Sequence, residues 1–133
     1  MRNLRGSRKS GFTLLEMMIV IFIIGIILAI AVPRYNLSLQ QARESVLRND
    51  LFELRKLISQ YTLDKQKAPQ SLEDLVSAGY LKEIPKDPIT TEANWEPHQE
   101  DTLLSIDQQD PGIDDVHSAS NATSSDGTSY SSW

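Results

Sequence analysis

Residues 8–33 read RKSGFTLLEMMIVIFIIGIILAIAVP, and from Phe12 to Val32 this stretch is 21 residues long with only Thr13, Glu16 and Gly25 interrupting an apolar run. At about 1.5 Å of rise per residue such a run reaches about 30 Å as a helix, the thickness of one bilayer hydrocarbon core. It is apolar on every face, and a chain of 133 residues with 40% apolar composition holds too little other apolar material to enclose it. It therefore reads as a membrane anchor rather than a buried core helix. Arg2, Arg5, Arg8 and Lys9 precede it, while both signs of charge follow it. The positive-inside rule then keeps the short N-terminus in the cytoplasm and sends the rest of the chain across.

Two fates of the run are open on these residues. A charged leader, an apolar segment and the small-residue site Ala29-Ile30-Ala31 together describe an ordinary secretory signal, cut before Val32. The run is longer than the usual apolar region of such a signal, however, and it carries Glu16 near its start. A carboxylate at the centre of a membrane helix costs roughly 2.5 to 3.5 kcal/mol, and intramembrane acids usually have a partner. Cleavage between Gly11 and Phe12 would create that partner. The new α-amino group would lie one turn from Glu16, in a low dielectric that strengthens the pair.

The segment Lys9-Ser10-Gly11-Phe12-Thr13-Leu14-Leu15-Glu16 resembles the class III signal of type IV pilins and pseudopilins, with the glycine, the following aromatic and the acid in register. The resemblance implies a leader at 1–11, cut after Gly11 by a prepilin peptidase, and N-methylation of Phe12. It implies a retained helix over 12–33, first an anchor and then a filament core, and a periplasmic domain over 34–133. Pro33 matches the family's helix-disturbing proline. A proline lacks an N–H and crowds the carbonyl four residues back, so a bend or a locally melted turn is expected there.

Beyond the anchor, Leu47, Leu51, Leu54, Ile58 and Tyr61 recur at spacings of four and three, with Arg43, Glu44, Arg48, Arg55 and Lys56 largely off that stripe. This predicts a helix continuing to about Leu63 with one face on a core. Asp64 to Pro69 breaks it, Ser71 to Asp74 supplies a helix start with an acid in the capping-box position, and Gly79 supplies the stop. Residues 61–75, YTLDKQKAPQSLEDL, and 80–90, YLKEIPKDPIT, are similar to the stretch that marks the major pseudopilins of type II secretion systems. Ile89-Thr90 replaces that family's aromatic-glycine pair, and Ala68-Pro69 replaces a proline-aromatic pair, so the chain is a divergent member. Further on, Thr102 to Ile106 and Ile113 to His117 are β-capable runs flanking the turn-forming Asp110-Pro111-Gly112. A hairpin or small meander packed on the helix stripe is expected, since an isolated hairpin is marginal in water. The fold class is thus α+β: a long N-terminal helix on a small antiparallel sheet, as in type IV pilins.

The last residues are acidic and serine-rich; from Asp87 onward there are ten acids and no Lys or Arg. Tyr130, Trp133 and the Asp126-Gly127 turn point to an ordered loop closing on the domain. The family resemblance implies a calcium site in this loop, built from backbone carbonyls and side-chain oxygens, with Ser118, Asn121, Ser125 and Asp126 at the ligand positions. Asn121 stands where a carboxylate is expected, which lowers calcium affinity. The absence of cysteine removes thiolate catalysis and cysteine-built metal clusters, and no basic stripe is available to neutralise nucleic-acid phosphates. Asp115, His117 and Ser118 do not make a hydrolase, because near neighbours on a strand alternate between faces. Asn121-Ala122-Thr123 fits a glycosylation sequon but follows a bacterial-type leader, and is set aside.

The resulting expectation is a non-enzymatic subunit of a type II secretion pseudopilus, anchored in the bacterial inner membrane. Its expected partners are copies of itself, minor pseudopilins, the inner-membrane assembly platform and the prepilin peptidase. Glu16 and Pro33 are the residues expected to act in assembly. A surface type IV pilin and a secreted binding module are the alternatives.

Overall fold

The computed structural model describes residues 11–99 and 111–133. Four elements of regular structure follow in order: helix α1 over Leu14–Lys65, helix α2 over Leu72–Ser77, strand β1 over Glu96–Gln99 and strand β2 over Ile113–His117. A 3-10 turn occupies Tyr130–Ser132. The internal contacts divide the chain into one unit ending at Asn36 and a second running from Leu37 to Trp133.

In the first unit, α1 starts on Thr13, whose Oγ1 accepts the Glu16 N–H at 3.2 Å while its carbonyl accepts Met17 N–H at 3.1 Å. This is the Thr-x-x-Glu pattern of a helix start, with an acid in the first turn where the helix dipole favours it. One 18-residue window of this helix has a mean hydropathy of 3.0 and none of it is buried, so it is long and apolar enough to cross a membrane. No turn is melted at Pro33, which lies inside α1 with helical residues on both sides. One missing donor in a helix of 52 residues leaves the neighbouring turns bonded.

In the second unit, the expected stripe forms the core. Leu47, Leu51, Leu54, Ile58 and Tyr61 are buried together with Leu72, Leu75, Trp95, Ile113, Val116 and Tyr130. The helix ends at Lys65, and Gln66 takes the left-handed conformation with φ 56° that closes many helices. α2 begins with the reciprocal Ser71–Asp74 capping box and is followed by Gly79 at φ 82°. Tyr80 stacks edge-on against Tyr61 with ring centres 5.5 Å apart, and its hydroxyl donates to Asp64 at 2.7 Å.

The sheet is antiparallel, with Glu96 opposite His117, Pro97 opposite Val116, His98 opposite Asp115 and Gln99 opposite Ile113. The pairing skips Asp114, and this irregularity lets Ile113 and Val116, three apart, both face the core. The partner of β2 is therefore Glu96–Gln99. Residues 102–106, the expected partner, lie outside the described residues, as does Asp110. Pro97 is tolerated because, among the described residues, β1 pairs along one side only. The sheet packs on the α1 stripe through Ile113 and Val116, which places the chain in the α+β class with a type IV pilin-like layout.

Candidate functional site

Two places carry the residues singled out by the sequence. The first is the N-terminal part of α1. Gly11 to Leu39 are all exposed, including Phe12 at 74% and Leu14 at 80%. Glu16 is exposed in the same way, inside the first turn. An apolar surface of this extent has no use in water, so its solvent is lipid or other helices of its kind. Pro33 lies at the end of the apolar run, three residues before the boundary between the two units.

The second place is the segment from Ser118 to Trp133, which is ordered. Ser124 N–H donates to Thr128 O at 2.7 Å and Gly127 N–H to Ser124 O at 3.1 Å, with Gly127 at φ 88°, so the Asp126-Gly127 turn forms as read. Tyr130 is buried and meets Trp133 edge-on at 5.2 Å.

The four residues expected to hold calcium are divided among separate partners. Ser118 is buried and its hydroxyl donates to Asp87 Oδ2. Ser125 gives its N–H to Glu44 Oε1 at 2.6 Å and its hydroxyl to Glu44 Oε2. Asp126 accepts from Ser124 Oγ, from Thr128 Oγ1 at 2.7 Å and from Arg48 at 3.2 Å. Asn121 is exposed. Calcium takes six to eight oxygens around one point. Among the described residues no three Asp, Glu or His side chains gather in that way. As they stand, the side chains of Ser118, Ser125 and Asp126 are turned to separate partners.

Three residues that hold this segment were not on the list drawn from the sequence: Glu44, Arg48 and Arg55, all on α1. Glu44 is 5% exposed and also accepts from Tyr130 OH at 2.8 Å and Gln40 Nε2 at 3.1 Å. Burial raises its pKa, but the hydrogen bonds from Ser125, Tyr130 and Gln40 outweigh that and hold the carboxyl below its ordinary value. Arg48 stacks on the Trp133 ring at 4.1 Å. Arg55 pairs with Asp115 and donates to Val116 O at 3.0 Å and Trp133 O at 2.7 Å. A further carboxylate, Asp87 of the PKDP turn, is fully buried and accepts from Ile89 N–H at 2.7 Å as well as from Ser118. Its Asx-type bond fixes the turn, with Thr91 N–H returning to Asp87 O at 2.7 Å.

His117 Nε2 lies 3.5 Å from Asp115 and its Nδ1 meets Trp133 O, whereas Ser118 is turned to Asp87. The three do not form a nucleophile, base and orienter in line.

Known proteins place this arrangement. Residues 6–32 match the prokaryotic N-terminal methylation motif. The chain is 34% identical over 97 residues to the type II secretion system core protein G of Aeromonas hydrophila, covering 61% of this chain and 68% of that protein. It is 35% identical over 97 residues to the core protein G of Pseudomonas aeruginosa, again covering 61% of this chain and 68% of the relative. The type IV major fimbrial protein FimA of Dichelobacter nodosus is 39% identical over 64 residues, which are 48% of this chain and 40% of that protein. No solved structure matches the chain. With its methylation motif extending through an uncovered apolar run and its α+β unit after it in the sequence, the chain belongs to the family of type II secretion system core protein G.

Proposed function

We propose that this chain is the structural subunit of a type II secretion pseudopilus, and that its polymerisation drives folded proteins across the outer membrane. The observation that carries the proposal is the apolar first half of α1, exposed along its whole length immediately behind Gly11-Phe12. In the inner membrane lipid covers it. Leaving lipid is tolerable only if other such helices replace the lipid contacts, so extraction and lateral association are one step. Prepilin peptidase cuts between Gly11 and Phe12 on the cytoplasmic side, and Phe12 is then N-methylated. The resulting cation pairs with Glu16 of a neighbouring copy, which removes the cost of an uncompensated acid among apolar helices. The α+β unit faces the periplasm, where minor pseudopilins and the membrane assembly platform are its further partners. The role involves no catalytic step and no nucleic acid.

The mass of the mature chain tests the first half of this proposal. A product beginning at methylated Phe12 is expected, and one beginning at Val32 would mean that the anchor is discarded. A deletion strain tests the second half. Lost secretion with intact surface fibres is the expected result, while lost fibres with normal secretion would favour the surface-pilus reading that the similarity to the fimbrial protein keeps open.

A further inference from the structure

Glu44 is a buried carboxylate in a row of otherwise apolar core positions on α1. Burying a charge is costly unless the charge is fully hydrogen-bonded. Here the carboxylate receives four donors: Ser125 N–H, Ser125 hydroxyl, Tyr130 hydroxyl and the Gln40 amide. Three of the four come from the segment 118–133, and the fourth reaches it, because Gln40 Nε2 also lies 3.2 Å from the Tyr130 hydroxyl. One turn along, Arg48 holds Asp126 and the face of Trp133. Two turns further, Arg55 holds Asp115, Val116 O and Trp133 O. Gln40, Glu44, Arg48 and Arg55 follow at spacings of four, four and seven, so they stand along one side of the helix. Of the groups that a cation would have to gather to one point, Ser125 and Asp126 are instead held at separate places along that side, and Ser118 is turned to Asp87.

We propose that the segment Ser118–Trp133 of this chain is closed on α1 by Glu44, Arg48 and Arg55, in place of the divalent cation that the family resemblance implies. Fixed protein charges do the cation's work: Glu44 anchors the main chain at Ser125, and the two guanidiniums anchor the last acidic and aromatic groups. Asn121, which stands where a carboxylate ligand is expected, is exposed. Closure of the segment therefore does not wait for an ion.

The experiment is limited proteolysis of the full chain in detergent micelles, with cleavage within 118–133 mapped by mass spectrometry. It is run beside thermal unfolding in excess chelator and in about 5 mM calcium. Wild-type protein is expected to show the same cleavage rate and midpoint in both. A site with the weak affinity of extracellular calcium modules would slow cleavage and raise the midpoint by roughly 4 °C or more, which would overturn the proposal. Glu44→Gln is expected to speed cleavage within the segment by roughly tenfold or more, with or without calcium. Unchanged cleavage in this variant would also overturn the proposal. Should Glu44→Gln fail to fold, Ser125→Ala removes the hydroxyl bond to Glu44, and Arg48→Met removes the contacts with Asp126 and the Trp133 ring. A several-fold rise in chelator is expected for both, and none for either would sink the idea. All readings come from dispersed subunits, so a failure here is separate from a failure to polymerise.

Discussion

From Leu14 to Leu39 every residue of α1 is exposed, whereas from Gln40 to Lys65 the same helix buries Glu44, Leu47, Leu51, Leu54, Ile58 and Tyr61. The backbone conformation is common to both stretches, but what makes it stable is not. In the second, an amphipathic stripe is held by a core whose other members come from α2, β2, the 3-10 turn and Trp95 just before β1. In the first, no described residue covers the side chains, and the helix depends on its own hydrogen bonds and, under the proposed function, on an apolar surrounding of lipid or neighbouring copies. One helix therefore serves two assemblies: a folded unit within the chain and a bundle between chains.

The sharpest way to break this division is at Glu16. Glu16→Gln removes a charge but no hydrophobic surface, so membrane insertion should persist while assembly falls severely, since unpairing a buried charge costs about 3–5 kcal/mol. Filament yield measured against membrane-inserted subunit checks this, and normal assembly would remove the pairing role. The converse change is Leu54→Ala, at a residue 1% exposed. It should cost the second unit about 2–5 kcal/mol in denaturant unfolding and leave insertion of the anchor unaltered. Loss of insertion in that variant would show that the two halves are not independent. A smaller loss, about 1–3 kcal/mol, is expected for Gly112→Ala. A Cβ there would meet the Ala68 side chain and lie 2.7 Å from Pro69 O, the same carbonyl that accepts Ile113 N–H at 2.7 Å. Unfolding at the wild-type denaturant midpoint would mean that the two segments separate without penalty.

The same division explains what could be read from the residues. The apolar helix, the stripe from Leu47 to Tyr61, the Ser71–Asp74 capping box and the Asp126-Gly127 turn are local or periodic, and each formed where its spacing placed it. By residue type Glu44 belongs on the polar side, where water solvates a carboxylate. Its position, three residues before Leu47, continues the buried rhythm, and that was the available signal. Its partners lie 81 and 86 residues away, which no local pattern encodes. β1 carries no strand signal in its sequence, because Glu96-Pro97-His98-Gln99 has no alternation, is exposed throughout and contains a proline. It is a strand because β2 offers it an edge. Asp87 was noticed as part of a motif, yet its burial depends on Ser118, 31 residues on.

The smallest expected effect concerns acid, and it separates the charges that close the second unit from the apolar packing beneath them. Hydrogen bonds from Ser124 and Thr128 bring the Asp126 carboxyl down to about 2; burial opposes this and Arg48 adds to it. For Glu44, burial acts upward and is outweighed, so its pKa is also lowered from 4.5. A carboxylate depressed on folding contributes stability that is present above its unfolded pKa and lost as pH falls through the folded one. For Asp126 that window runs from about 4 down to about 2. Asp50 acts in the opposite sense, because burial and the nearby Glu53 and Asp87 raise its pKa, so protonating it relieves repulsion as the pH falls. Net stability should therefore hold down to about pH 5 and decline gently below it rather than collapse. Asp126 is an exposed partner of Arg48, with about half of its side chain in solvent, so Asp126→Asn should remove only a modest part of the slope between about pH 4 and 2. Urea unfolding of the full chain in micelles across that range measures it. An identical slope in the variant would show that Asp126 contributes no pH-dependent closure, leaving Glu44 and Asp115 as the acid-sensitive contacts.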